Sequence, residues 1–384
     1  MFTDFDLDLD VVRRRRGVKW TKYGPEVIPA WVADMDFTLA PCIAAALHEA
    51  IDLGDIGYPP DTGSVVAAFC HRACAQWSWT VDPSLVFVMP DVVKSIEFII
   101  NAHTEPGDAI VVNTPIYPPF LKTPKGLNRR TVDNPMAADG SLDLDHLQHV
   151  VDSEHPKVLL LCNPHNPTGR VLRRDELHQA CRIAKDCIII SDEIHGELVY
   201  LDSPAHTPTA TLDADIAERT FTLTSASKSF NLAGLRVALI VSGTPDLHAS
   251  IERQAAANKA PIGTLGLYAT QAAWTPEGDA WLAACLEILN SNRHALADWS
   301  LEHGVGFRLP EATYLGWLDM RSLGLDDEPH DWFLRHAGVG LSVGTDFGLL
   351  GAGHTRLNFA TSPGILASVL DRMANSLHAG SNRA

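Results

Sequence analysis

The chain is expected to fold as an α/β protein on a mostly parallel sheet, and three features of the sequence lead there. Short apolar runs recur at 85–89 (LVFVM), 109–113, 158–162, 187–191, 220–224 and 236–241. Stretches of helical periodicity lie between them, at 41–53, 63–76, 92–103, 143–151, 173–186 and 245–257. The apolar runs are continuous rather than alternating, which marks strands buried on both faces by flanking helices. Beyond about residue 260 the rhythm changes. A long helical stretch covers 276–303, followed by strand-like runs at 305–308, 313–319, 339–342 and 354–359 and a last helix at 363–378. This part reads as a second, smaller C-terminal α/β domain packed with the N-terminal arm. The expected divisions are an arm over 1–40, a large domain over 41–275 and a small domain over 276–384.

The 384 residues are 46% apolar, ample for a large core. The formal net charge is −17. Such a surface repels nucleic acid and anionic membranes, so neither is an expected partner. The one basic block, Arg13 to Arg16, follows Asp4, Asp6, Asp8 and Asp10 and is expected to be paired locally or solvated. No apolar run is long enough to span a membrane. The acidic start, MFTDFDLDLD, lacks the layout of a signal peptide. The seven cysteines are scattered, and Cys70 and Cys74 have no second pair to complete a metal site. They read as reduced packing residues of a cytoplasmic protein.

Ligands of such sheets sit outside the carboxyl ends of the strands, and five motifs fall there. In SASKSFNLAGLR (225–236), Lys228 stands among small hydroxyl residues at a strand end. Lysine is rarely buried without a reason, and a desolvated lysine is suited to Schiff-base chemistry. Ser225, Ser227 and Arg236 are suited to a phosphate. In SDEIHGELVY (191–200), Asp192 ends a buried strand and calls for a cationic partner, such as a protonated pyridine nitrogen. His195 would then lie near the phenolic oxygen of such a ring. In CNPHNPTGR (162–170), Asn166 stands in a rigid turn and its amide can donate to a phenolate. Tyr117, in NTPIYPPF, sits in a proline-stiffened loop where its ring can stack on a flat heterocycle. Arg356, in HTRLNFA, is suited to a two-pronged grip on a carboxylate. Taken singly, each motif has a plain alternative: a surface lysine, an N-cap aspartate, a plain turn (which explains Pro167 and Gly169 better than Asn166), a packing tyrosine, a strand arginine.

Taken together, the order Asn166, Asp192, Lys228, Arg236, Arg356 resembles the class I/II aminotransferase family of fold-type I pyridoxal phosphate (PLP) enzymes, over nearly the whole chain. The lysine with arginine eight residues on is the most specific part. The resemblance implies a seven-stranded, mostly parallel sheet in the large domain and PLP as cofactor. It gives Lys228 the roles of cofactor lysine and proton shuttle. Asp192 becomes the partner of the pyridine nitrogen, Asn166 the donor to the ring oxygen, and Tyr117 the stacking ring. Ser225 and Arg236 become phosphate ligands, and Arg356 the clamp on the α-carboxylate of a small amino-acid substrate. The family places its site at a homodimer interface, and Tyr58, in DIGYPP, resembles the tyrosine that reaches the neighbouring subunit's phosphate. Two departures stand out. His195 occupies a position where many relatives have tyrosine. Asp91 occupies the phosphate turn MPDVVKS, where small residues are usual. If the N–H groups of Val92 and Val93 hold the phosphate at a helix start, the Asp91 side chain must point away.

WVADMDFTLAP (31–41), GDIGYPPDTG (54–63), ATYLGWLD (312–319) and RLNFATSP (356–363) are similar to the MalY/PatB group of cystathionine β-lyases. That group implies a carbon–sulfur β-lyase that releases thiol, pyruvate and ammonia. An aminotransferase shares the first steps of the chemistry and is the main alternative. A PLP-binding regulatory protein is the other, although no DNA-binding module or basic arm is visible.

Overall fold

The computed structural model describes residues 5–258 and 260–381. Asp4, named in the acidic run, lies outside them. A short strand, β1 (Ile28–Pro29), comes first. The largest sheet among the described residues has seven strands: β2 (Val86–Met89), β3 (Ala109–Val112), β4 (Arg130–Asp133), β5 (Val158–Cys162), β6 (Ile188–Asp192), β7 (Thr220–Thr224) and β8 (Ala238–Ser242). Their spatial order is β2-β8-β7-β6-β5-β3-β4. Only the pairings made by β8 are antiparallel, so the sheet is mostly parallel, as expected.

Burial on both faces explains the continuous apolar runs. Leu160 and Ile190 point into one core, with Ile96 and Ile99 of the helix over 92–103 and Ile251 of the helix over 245–257. Leu159, Leu161 and Ile189 point into another, with Leu147 and Leu177 of the helices over 144–154 and 174–183. Strand β4 (RTVD) is mostly exposed at the sheet edge. An edge strand needs no apolar run, which is why it was not read from the sequence.

A second sheet has the order β12-β13-β10-β9, from β9 (Gly306–Phe307), β10 (Leu315–Asp319), β12 (Ser342–Val343) and β13 (His354–Asn358). The run expected at 339–342 is divided. Strand β11 (Val339–Gly340) pairs in parallel with β1, while β12 pairs with β13. The strand expected from 313 begins at 315, because Thr313 adopts a left-handed backbone at φ 71°. Helices at 118–126, 264–273 and 329–337 went unread. The first corrects the expected loop around Tyr117, for it starts right after that residue. Pro118 and Pro119 occupy its first turn, where no N–H is needed.

The basic block is only partly local. Arg13 lies 3.6 Å from Asp10. Arg15 instead donates to the carbonyls of Met35, Asp36 and Phe37 at 2.9–3.0 Å. Lys19 and Asp36 form a buried ion pair at 2.7 Å. These contacts fasten the end of a strap that runs over residues 31–37, and the pairing register Cys162↔Asp192↔Leu223 aligns the strand ends beneath it.

Candidate active site

A cavity of about 410 Å³ opens at the carboxyl ends of β5, β6 and β7. It is lined by Lys228, Asp192, Asn166, His195, Tyr117, Ser225, Arg236, Val92, Val93 and Arg356. Only Tyr58 of the expected site residues is elsewhere. It is fully exposed on the surface.

Lys228 follows β7 on a single helical turn capped by the Ser225 side chain. Its Nζ donates to the carbonyl of Ala33 at 2.9 Å. Desolvation depresses its amine to about 8, with Asp34 opposing that shift. Asp192, the last residue of β6, accepts from the N–H of Ile194 at 3.1 Å. It is buried with no ion-pair partner among the described residues, and burial pushes its carboxyl up to about 7. His195 is buried too. Desolvation, then the charges of Lys228 and Arg356, holds its imidazole down to about 3, so it is neutral near pH 7. Its Nδ1 has no partner.

Arg356 and Asn166 act as a pair. Arg356 Nη1 donates to Asn166 Oδ1 at 2.9 Å, and Nη2 donates to the Trp31 carbonyl at 3.0 Å. Its guanidinium carbon lies 4.9 Å over the Phe347 ring, and its Nε is unpartnered. Because Asn166 Oδ1 is occupied, the Asn166 amide nitrogen is left to donate into the cavity. Burial lowers Arg356 to about 10, still cationic at neutral pH. Desolvation pushes the Tyr117 phenol up.

The corner expected to take a phosphate departs from expectation in two ways. Ser225 Oγ donates to the Val237 carbonyl at 2.6 Å and accepts from the Ser227 N–H at 3.0 Å. A hydroxyl carries one proton, so Ser225 as oriented has none for a phosphate. Ser227 lines the cavity and its hydroxyl has no partner among the described residues, making it the better donor. Asp91 does not point away. It caps the helix over 92–103 through the Lys94 N–H at 2.7 Å, and its other oxygen pairs with Arg236 at 2.5 Å. Asp91 is the N-cap residue, and an N-cap side chain folds over the first turn. That brings its carboxylate beside Arg236.

Sequence reasoning missed Val32 and Ala33, which also line the cavity. Ala33 contributes a main-chain carbonyl, and a main-chain atom leaves no mark in residue type. Cys162 lines the floor beside Asp192, and burial raises its thiol well above the ordinary value.

Residues 33–373 match the family described as aminotransferase class I and II. A Mycobacterium tuberculosis relative, with a provisional cystathionine beta-lyase name, is 39% identical over 97% of each chain. Cystathionine beta-lyase PatB of Bacillus subtilis is 33% identical, over 94% of this chain and 97% of its own. The crystal structure of cystalysin from Treponema denticola, which contains pyridoxal 5'-phosphate, superposes with a TM-score of 0.92 at 28% identity, over 98% of this chain and 99% of its own. The chain belongs to the class I and II aminotransferase family of fold-type I PLP enzymes. Within that family its kinship is with the MalY/PatB type of carbon–sulfur lyase.

The residues fit PLP on their own geometry. A buried carboxylate without a cation, an unpartnered imidazole nitrogen and a free amide nitrogen converge on one cavity. Buried polar groups are normally satisfied, and a protonated pyridine ring with a phenolic oxygen would satisfy them.

Two outcomes follow from this site. The Asp192 carboxyl holds its proton more tightly folded, at about 7, than unfolded, at its ordinary 3.8. The stability that Asp192 contributes is therefore full below about pH 4 and falls as pH rises to about 7, by up to roughly 4 kcal/mol. Cofactor-free Asp192→Asn is expected to melt about 5 °C above the parent near pH 8 and level with it near pH 4; coincident melting at both values would contradict the burial argument. Asp91→Asn keeps an N-cap and removes a negative charge from the phosphate corner. Titration with PLP is expected to show about fivefold tighter binding, and weaker binding would show that Asp91 helps to hold the phosphate.

Proposed function

We propose that the protein is a PLP-dependent carbon–sulfur β-lyase that cleaves L-cystathionine or related cysteine S-conjugates to thiol, pyruvate and ammonia. One observation carries the amino-acid chemistry. A depressed amine, an unpaired buried carboxylate and a buried arginine surround a single cavity. The lyase outcome draws its support from the names of the relatives and from the stretches at 31–41, 54–63, 312–319 and 356–363.

Each group has a task in this reading. Arg356 grips the α-carboxylate of the amino acid, and Asn166 holds the arginine in place. Lys228 would carry the cofactor, and its Nζ is the group placed to take the α-proton of the substrate. An amine near 8 is neutral often enough at working pH to do so. PLP, when bound, supplies an electron sink for the charge left on the α-carbon. Asp192 would face the ring nitrogen and keep it protonated. Low dielectric around Asp192 strengthens that ion pair. Neutral His195 is able to donate to the ring oxygen without adding charge. Tyr117 would stack on the ring, while Ser227, Arg236 and the N–H groups of Val92 and Val93 would hold the phosphate.

We place cofactor binding in residues 41–275 and the substrate clamp in 276–384, with the arm 1–40 strapping the two. We also take the working unit as a homodimer with a shared site. Ile51, Leu53 and Ile56 support this, as a run of exposed apolar side chains leading into the segment that carries Tyr58. Among the described residues no helix is long and apolar enough to cross a membrane. The cysteines, all free, support a reducing, cytoplasmic setting.

Incubation with cystathionine separates the outcomes. Equal release of pyruvate and thiol without any keto acid is expected. Strict dependence on a keto-acid acceptor would make the protein an aminotransferase instead. Arg356→Ala is expected to raise KM about 10- to 100-fold, from the loss of a charged hydrogen-bond partner. An unchanged KM would remove Arg356 from the substrate site.

A further inference from the structure

We propose that Tyr314 is a positioning residue for Lys228, acting through the main-chain carbonyl of Ala33. The inference rests on the reading of Lys228 as the cofactor lysine.

Tyr314 Oη donates to the Ala33 carbonyl at 3.2 Å, and Lys228 Nζ donates to the same oxygen at 2.9 Å. A carbonyl oxygen has two lone pairs, and here both have donors. Tyr314 is fully buried and does not line the cavity. It therefore acts on the lysine from behind, without touching the reacting atoms.

The tyrosine is held from several sides. Thr313 sits at φ 71°, a conformation that β-branched residues rarely adopt. Its N–H donates to the Leu198 carbonyl at 2.9 Å, and its carbonyl accepts from Tyr200 Oη at 2.6 Å. The Arg293 guanidinium lies 4.0 Å over the Tyr200 ring and donates to the Pro310 carbonyl at 2.8 Å. Beyond Tyr314, its own carbonyl accepts from the Phe359 N–H at 3.0 Å. A continuous set of contacts thus runs from Arg293 to the oxygen that receives the amine. The strap carrying Ala33 is fixed as well, since Asn358 donates to the carbonyls of Val32 and Asp34 at 2.7 Å.

The arrangement has two consequences for the amine. An N–H given to a fixed carbonyl directs the nitrogen lone pair elsewhere. A carbonyl already engaged by a second donor is also a weaker acceptor for an ammonium, so sharing favours the neutral amine. The other groups that act on Lys228 are divided. Asp34 and Asp192 favour the ammonium, while desolvation and Arg356 oppose it. His195 is neutral. Tyr314 adds to the neutral side.

The test uses the full chain freed of cofactor and measures the rate of PLP uptake, followed by absorbance, against pH. Tyr314→Phe keeps the ring and removes the donor. It is expected to take up PLP about threefold more slowly than the parent near pH 7 and at the same rate near pH 10, because the midpoint of the amine moves upward by about half a unit. The reloaded variant is expected to lose about tenfold in kcat with KM within about twofold. Tyr200→Phe, which loosens the clamp one step back, is expected to move the midpoint the same way by less. Superimposed uptake profiles for parent and both variants would overturn the proposal. A uniform slowing at every pH would also overturn it, since that marks a merely structural role. Failure of the parent itself to take up PLP would instead overturn the reading of Lys228.

Discussion

Three charge-bearing groups face one desolvated space without neutralising each other, and the site is built around that constraint. Asp192 and Arg356 are buried and Lys228 is part-buried, yet none of the three forms an ion pair with another. Desolvation penalises charge, and it moves all three groups toward neutrality, the amine to about 8 and the carboxyl to about 7. The chain offsets part of the cost with neutral partners. Ile194 N–H serves Asp192, the Ala33 carbonyl serves Lys228, and Asn166 with the Trp31 carbonyl serves Arg356. A buried group left short of partners costs stability, and a ligand of complementary charge would recover it.

Holding those groups apart needs rigid ends on several elements. Asp192 ends β6, Lys228 follows β7, Asn166 follows β5, and Arg356 lies within β13 of the second sheet. The strap at 31–37 closes the fourth side. Its backbone carbonyls accept from Arg356, Lys228, Asn358 and Lys19, so a segment with little regular structure is fastened by side chains of distant parts of the chain. The arm thereby connects the contacts of Arg15 and Lys19 to the carbonyl that accepts from Lys228.

Much of this was legible because buried parallel strands write continuous apolar runs, and because charged residues at strand ends are costly without a task. The strand at 158–162 and the helix at 92–103 coincide with the expected limits. What was hidden has physical reasons. Strand β4 is an exposed edge, and the helix at 118–126 is masked by its prolines. The part played by Ala33 lies in a carbonyl oxygen that every residue possesses. Orientation was hidden too. The residue types placed Asp91 and Ser225 at the phosphate corner, but only the geometry showed one bound to Arg236 and the other committed to Val237.

The central claim is that one particular amine carries the cofactor. Borohydride reduction of the PLP-loaded protein, followed by proteolysis and mass spectrometry of the peptides, tests it without any assumption about the substrate. The account requires the phosphopyridoxyl mass on the peptide that contains Lys228, and on no other lysine. The same mass on a different lysine, or on none, would contradict it.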